Sequence, residues 1–374
     1  MSTEKKIRIL SLDGGGIRGI IPATVMVHIE QRIKEFSNNP EAKIADYFDI
    51  IVGTSTGGIL GCYYLVPDPS NRLKSMFTAQ QALNLYVEKG YEIFNKSKKN
   101  GLFGMRQLFN ATKYNPNNIE RIFKEQLGDL KLNELIKPCI VTTYDMVKGS
   151  SFFFNSKDNP TKRDFYLRDV LRSTSAAPTY FPPAVIKNLA IKNEEEAIMV
   201  NIDGGVFANN PALCAYAEVR SKKSNEFGFD IKSDKMMMLS IGTGAIPTAY
   251  EPAKNPGEWG VIKWAKSAPE IMMDGALDTV NYQIKKIFGV EDNKNYSDNF
   301  IRVDFPVKLR ENPNNLPYAP DMSDASPENI KKLQQAGITT VEKANEDKNN
   351  SDFKPLDNFI MKLVEIGLSN NFTT

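Results

Sequence analysis

The sequence predicts an α/β fold with a mostly parallel central sheet and a helical C-terminal extension. Three observations carry this. Short apolar, β-prone runs recur along the first 245 residues. Helical segments follow several of them, the alternation that builds parallel sheets. Glycine clusters mark the ends of these runs, at Asp13-Gly14-Gly15-Gly16, Gly53-Thr54-Ser55-Thr56-Gly57, Asp203-Gly204-Gly205 and Gly242-Thr243-Gly244. The ends of strands in such sheets are where α/β proteins gather ligand sites.

Composition narrows the class. The chain has 374 residues, 41% hydrophobic and 25% charged, which is ordinary globular usage with ample length for a core. Its 47 basic and 45 acidic residues leave a net charge of +2, without the footprint of a nucleic-acid binder. Cys62, Cys139 and Cys214 are odd in number and far apart, so neither a disulfide framework nor a zinc ribbon is expected. A reduced, cytoplasmic setting fits this usage. The N-terminus lacks a signal-peptide core, and no apolar run approaches the ~18 residues of a membrane span. Any contact with a membrane is expected to be peripheral, at its inner face. No metal and no cofactor are expected.

The first strand is Ile7–Leu12, which alternates and ends at Asp13. A helix follows the glycines, with Ile21, Val25, Ile29, Ile33 and Phe36 at helical spacing. Pro22 is tolerated in its first turn. Gly14-x-Gly16-x-x-Gly19 matches the dinucleotide fingerprint, but the next strand lacks the acidic residue at its end that would hold a ribose; Asp49 lies at its start. No Gly-Lys-Ser/Thr follows either glycine cluster, so a Walker loop is excluded. Three glycines at a helix N-terminus also suit an oxyanion hole, because unhindered N–H groups can face a developing alkoxide.

The second strand, Phe48–Val52, runs into Gly53-Thr54-Ser55-Thr56-Gly57 and then a helix with small residues on its first turn. A serine between two glycines at a strand-to-helix turn is the nucleophile-elbow pattern. Gly53 and Gly57 let the neighbouring backbone pass close. The plain alternative is a glycine-rich turn that packs or binds an anion.

Residues 70–130 are expected to be mostly helical, with helices at Thr78–Phe94 and Asn117–Leu127. Lys96–Gly101 is a basic loop, either a solvated turn or a contact for anionic lipid headgroups. Strands at Pro138–Met146 and Ser151–Asn155 form a hairpin around Lys148-Gly149. A short helix at Leu167–Ser175 leads into the rigid, irregular stretch Ser175–Pro183. The strand Ala197–Ile202 ends at Asp203, and a helix follows to about Ser221. Met236–Ile241 is a further strand. Residues 257–290 carry Val261, Trp264, Ala268, Met272, Ala276, Val280, Ile284 and Ile287 on one helical face. That face is either a core-packing layer or, with Trp259 and Trp264, a lipid-facing cover. Phe300–Phe305 is a late strand, Asn312–Pro320 a loop, and Pro327–Ala344 and Leu356–Leu368 closing helices. Residues 1–255 are expected to form the catalytic domain and 256–374 the extension packing on it.

An activated serine needs a base. The only histidine is His28, on the helix after the first glycine loop, which disfavours a triad. Asp203 ends a strand beside two glycines that leave room for a hydroxyl. An aspartate there also suits bracing of a turn. As a base it must be desolvated enough to gain proton affinity and still be ionised at working pH.

Together, the segments at 13–19, 53–57 and 203–205 resemble the three signatures of the patatin-like phospholipases. Residues 175–183 and 239–244 are similar to the same family. The resemblance covers residues 7 to about 245. It implies a three-layer α/β/α fold, lipid acyl-hydrolase activity on phospholipid or related glycerolipid esters, and a serine–aspartate dyad. Ser55 would be the nucleophile and Asp203 the proton acceptor, supported by Gly204 and Gly205. Gly14, Gly15 and Gly16, with Arg18 nearby, would form the oxyanion hole. The substrate would be membrane or micellar lipid. The resemblance also leaves open an acyltransferase, or an idle storage or effector protein, and a homo-oligomer or an activating partner.

Overall fold

The computed structural model describes residues 6–94, 112–221, 231–244, 260–306, 317–347 and 350–371. The basic loop at Lys96–Gly101, Trp259 and residues 312–316 lie outside them.

Eight strands form one sheet: β1 (Ile7–Leu12), β2 (Ile50–Thr54), β3 (Cys139–Asp145), β4 (Ser150–Asn155), β5 (Ala184–Lys187), β6 (Ile198–Asp203), β7 (Met236–Ile241) and β8 (Phe300–Val303). Their order is β5-β6-β3-β2-β1-β7-β8, with β4 also on β3. The run from β3 to β8 is parallel. Antiparallel pairing is confined to β4, β5 and β6. The helices, in chain order, are α1 (Ile20–Ser37), α2 (Ile44–Tyr47), α3 (Thr56–Tyr63), α4 (Ala79–Ile93), α5 (Asn117–Leu127), α6 (Leu167–Thr174), α7 (Glu194–Ala197), α8 (Gly205–Ala208), α9 (Ala212–Arg220), α10 (Val261–Ile287), α11 (Pro327–Ala344) and α12 (Pro355–Asn371).

The two faces of the sheet are covered separately, which gives three layers. Strand side chains alternate between faces. Leu10, Ile51 and Leu239 join a core with Ile29 of α1, Leu60 of α3, Phe123 of α5, Leu333 of α11 and Phe359 of α12. Ile9, Val52 and Met238 face the other way, onto Ala215 and Val219 of α9 and Ile284 of α10. The central strands are buried on both sides, which explains their nearly continuous apolar runs.

The stripe on α10 divides along its length. Ile284 is buried, and Val280 and Ile287 pack beside it. Met272 is 70% exposed and Trp264 50% exposed. The sequence after 255 is also not purely helical. β8 pairs with β7 in parallel, Met238 to Phe300 through Ile241 to Val303, and extends the sheet. A boundary at residue 255 would run between two hydrogen-bonded strands.

Candidate active site

One edge of β3 explains how two distant residues meet. β4 occupies one side of β3 from Ile140 to Asp145. On the other side β2 pairs as far as Thr54 with Thr142. The next partner on that side is β6, which arrives antiparallel, with Asp203 opposite Thr143. Two strands thus share one edge end to end. β2 turns away at Ser55 where β6 comes in at Asp203.

Ser55 sits at the turn with φ 53° and ψ −125°, in the left-handed half of backbone space that non-glycine residues rarely occupy. The elbow is as tight as the pattern requires. A Cβ on Gly53 would stand 2.4 Å from the carbonyl oxygen of Gly57, and one on Gly57 2.2 Å from that of Leu12. The Ser55 N–H donates to Thr174 Oγ1 at 2.8 Å, and Thr174 Oγ1 in turn donates to the Thr142 carbonyl at 2.7 Å. Below, Thr54 Oγ1 bonds Thr142 Oγ1 at 2.7 Å and the Ala208 carbonyl at 2.6 Å.

Asp203 is buried, and its N–H donates to the Ala176 carbonyl at 3.0 Å. Its Oδ1 accepts the Gly205 N–H at 2.7 Å. Gly204 has no space for a side chain, since a Cβ would meet Thr142 Oγ1 at 2.1 Å. Burial pushes the Asp203 carboxyl up to about 6; hydrogen bonds from the Ser55 hydroxyl and the Gly205 N–H pull the other way. The strand register therefore brings Ser55 and Asp203 to adjacent positions on β3, Thr54 opposite Thr142 and Asp203 opposite Thr143, with a carboxylate that is more basic than usual and still ionised near neutral pH.

The glycine loop lies against the same pair. An added Cβ on Gly14 would be 3.2 Å from Ser55 Cβ and 2.4 Å from Asn209 Oδ1. The Gly14 N–H already donates to the Asn209 carbonyl at 3.0 Å. This corrects the expectation for Gly14: its amide is spent on holding the loop and is not a free oxyanion donor. Its carbonyl accepts Thr243 Oγ1 at 2.7 Å. Gly15 and Gly16 carry the amides with no acceptor among the described residues. Gly16 has φ +60°, and a Cβ there would meet the Met322 carbonyl at 2.3 Å. Arg18, half-buried two residues further into the turn, donates its N–H to the Gly15 carbonyl at 3.2 Å.

His28 is engaged elsewhere. Its Nε2 lies 3.7 Å from Asp357 of α12. Asp49, just before β2, holds Arg8 at 2.7 Å. Among the described residues, no group of three or more His, Cys, Asp or Glu side chains is arranged to hold a metal ion. Thr174 and Asn209 also belong to the site and were not among the expected site residues, while Ala176 lies in the irregular stretch 175–183. Asn209 lies six residues after Asp203 on the way out of α8, and that proximity was the only signal.

Fold and elbow define an α/β protein with a buried carboxylate beside an elbow serine. Residues 10–216 match the patatin-like phospholipase family, and the chain belongs to it. Patatin-like protein 2 of Oryza sativa subsp. indica is 31% identical over 359 residues, covering 91% of this chain and 84% of that protein. Patatin-16 of Solanum tuberosum is 30% identical over 356 residues, covering 91% and 85%. The crystal structure of VipD from Legionella pneumophila covers 90% of this chain and 68% of its own at 12% identity, with a TM-score of 0.35, too loose a likeness to argue from. The family places the chain among lipid acyl hydrolases in general terms.

Proposed function

We propose that the protein cleaves fatty-acyl esters of phospholipids or related glycerolipids through Ser55 and Asp203. The observation that carries this reading is a buried carboxylate of raised proton affinity, Asp203, set by the strand register beside the turn that holds Ser55. Asp203 takes the hydroxyl proton as Ser55 Oγ attacks the acyl carbonyl. The Gly15 and Gly16 N–H groups receive the negative oxygen. Asp203 returns the proton to the departing alcohol, which leaves an acyl-enzyme on Ser55. The same carboxylate then activates water against that ester. Contact with lipid is peripheral in this reading: among the described residues, no helix is long and apolar enough to cross a membrane.

A fluorophosphonate probe tests the assignment. It is expected to label the wild-type chain at Ser55 and to leave Ser55→Ala unlabelled. Labelling that survives the substitution sinks the proposal. Release of free fatty acid and lysolipid from mixed phospholipid vesicles then separates hydrolysis from transfer to another acceptor.

A further inference from the structure

Asp13 follows β1 directly and opens the glycine loop, 1% exposed. Its carboxylate faces Arg302 of β8, itself 7% exposed and outside the stretch that matches the family. The register explains the reach. Ser11 pairs with Ser240 of β7, and Ser240 with Arg302, so the arginine must cross one strand to arrive at Asp13.

The guanidinium uses its two terminal nitrogens fully. Nη1 donates to Asp13 Oδ1 at 3.0 Å and to Ser240 Oγ at 2.8 Å. Nη2 donates to Asp13 Oδ2 at 2.6 Å and to Asp304 Oδ2 at 3.1 Å. The last of these bonds leads back to the loop by a second route. Asp304 Oδ1 accepts the Gly244 N–H at 2.9 Å, and Asp304 packs so close to Gly242 that a Cβ there would lie 2.2 Å from its carboxyl carbon. Between those glycines, Thr243 holds the Gly14 carbonyl.

We propose that Arg302 is a positioning residue: through Asp13 on one side and Asp304 and Thr243 on the other, it sets the direction of the Gly15 and Gly16 amides. This rests on the oxyanion role assigned to those amides above. An apolar pair of similar volume would fill the same space with no necessary loss of stability. It could not fix the orientation of the carboxylate that begins the loop. Only a planar fork satisfies both Asp13 oxygens at once, which lysine cannot do.

The test uses Arg302→Lys, which keeps the buried charge, and Arg302→Met combined with Asp13→Asn, which removes both charges. Turnover of a short-chain p-nitrophenyl ester and the rate of fluorophosphonate labelling are measured beside the melting temperature. Both variants are expected to lose ten- to a hundredfold in kcat with KM unchanged within twofold, and to label more slowly by a similar factor. Wild-type kcat in folded Arg302→Lys overturns the proposal. So does a loss of kcat that only follows the loss of folded protein. If the wild-type chain neither labels nor turns over ester, the proposed function fails first and the positioning role falls with it.

Discussion

Thr174 Oγ1 accepts the backbone N–H of Ser55 at 2.8 Å, and two residues later the Ala176 carbonyl accepts that of Asp203 at 3.0 Å. One short segment at the C-terminal end of α6 thus fixes the backbones of both site residues. Thr174→Val keeps the shape and removes the acceptor, leaving a buried N–H unpaired at the elbow. The expected cost is about 1–3 kcal/mol of stability, seen as a lower urea midpoint, together with reduced kcat. An unchanged midpoint would show that the elbow holds itself without Thr174.

Asp203→Asn is expected to lose turnover by orders of magnitude and to remain folded. Its effect on stability has the opposite sign. The Asp203 carboxyl is raised from 3.8 to about 6 in the folded chain. The folded state therefore binds the proton more tightly than the unfolded one. That contribution is fully present below about pH 3.8 and is lost as pH rises through about 6. At pH 8 the ionised, buried carboxylate lowers stability by roughly 2–3 kcal/mol. The asparagine variant should melt above wild type at pH 8, and the gap should narrow as pH falls below 6. In the wild type, kcat/KM should rise with pH through the same region and then level off.

Gly15→Ala places a Cβ 2.3 Å from Thr243 Oγ1, so the loop must shift. Displacing one of the proposed oxyanion donors should lower kcat by about 10²–10³. A folded variant with unchanged kcat would remove Gly15 from the oxyanion hole.

His28→Ala is expected to keep most of the turnover, because the imidazole faces Asp357 on α12 and has no part in the site. The change should cost well under 1 kcal/mol, since the pair is partly exposed. Loss of turnover in a folded His28→Ala variant would break the two-residue reading of the site.

Much of this architecture was legible because it is written locally. Asn117–Leu127 forms a helix with the bounds its periodicity predicts, and Ile7–Leu12 forms the first strand. The elbow glycines could be read because steric demand leaves no substitute. β5 was missed: Ala184–Lys187 is four residues long, directly after Pro182-Pro183, too short for alternation to register. The state of Gly14 was not legible either. Whether its amide is free depends on Asn209, which arrives from far along the chain. Arg302 lies in a plain strand sequence, Phe-Ile-Arg-Val, where nothing local says that the arginine will be buried.

The end-to-end sharing of one β3 edge has a kinetic consequence. Ser55 and Thr174 are 119 residues apart, and Asp13 and Arg302 are 289 apart. Each link closes a long loop whose entropy must be lost before the contact forms. Helices such as α1 can form early from nearby residues. The chemistry has no such local precursor. On refolding, helical signal should return before turnover does, and the delay between them measures the time the distant strands take to find their places.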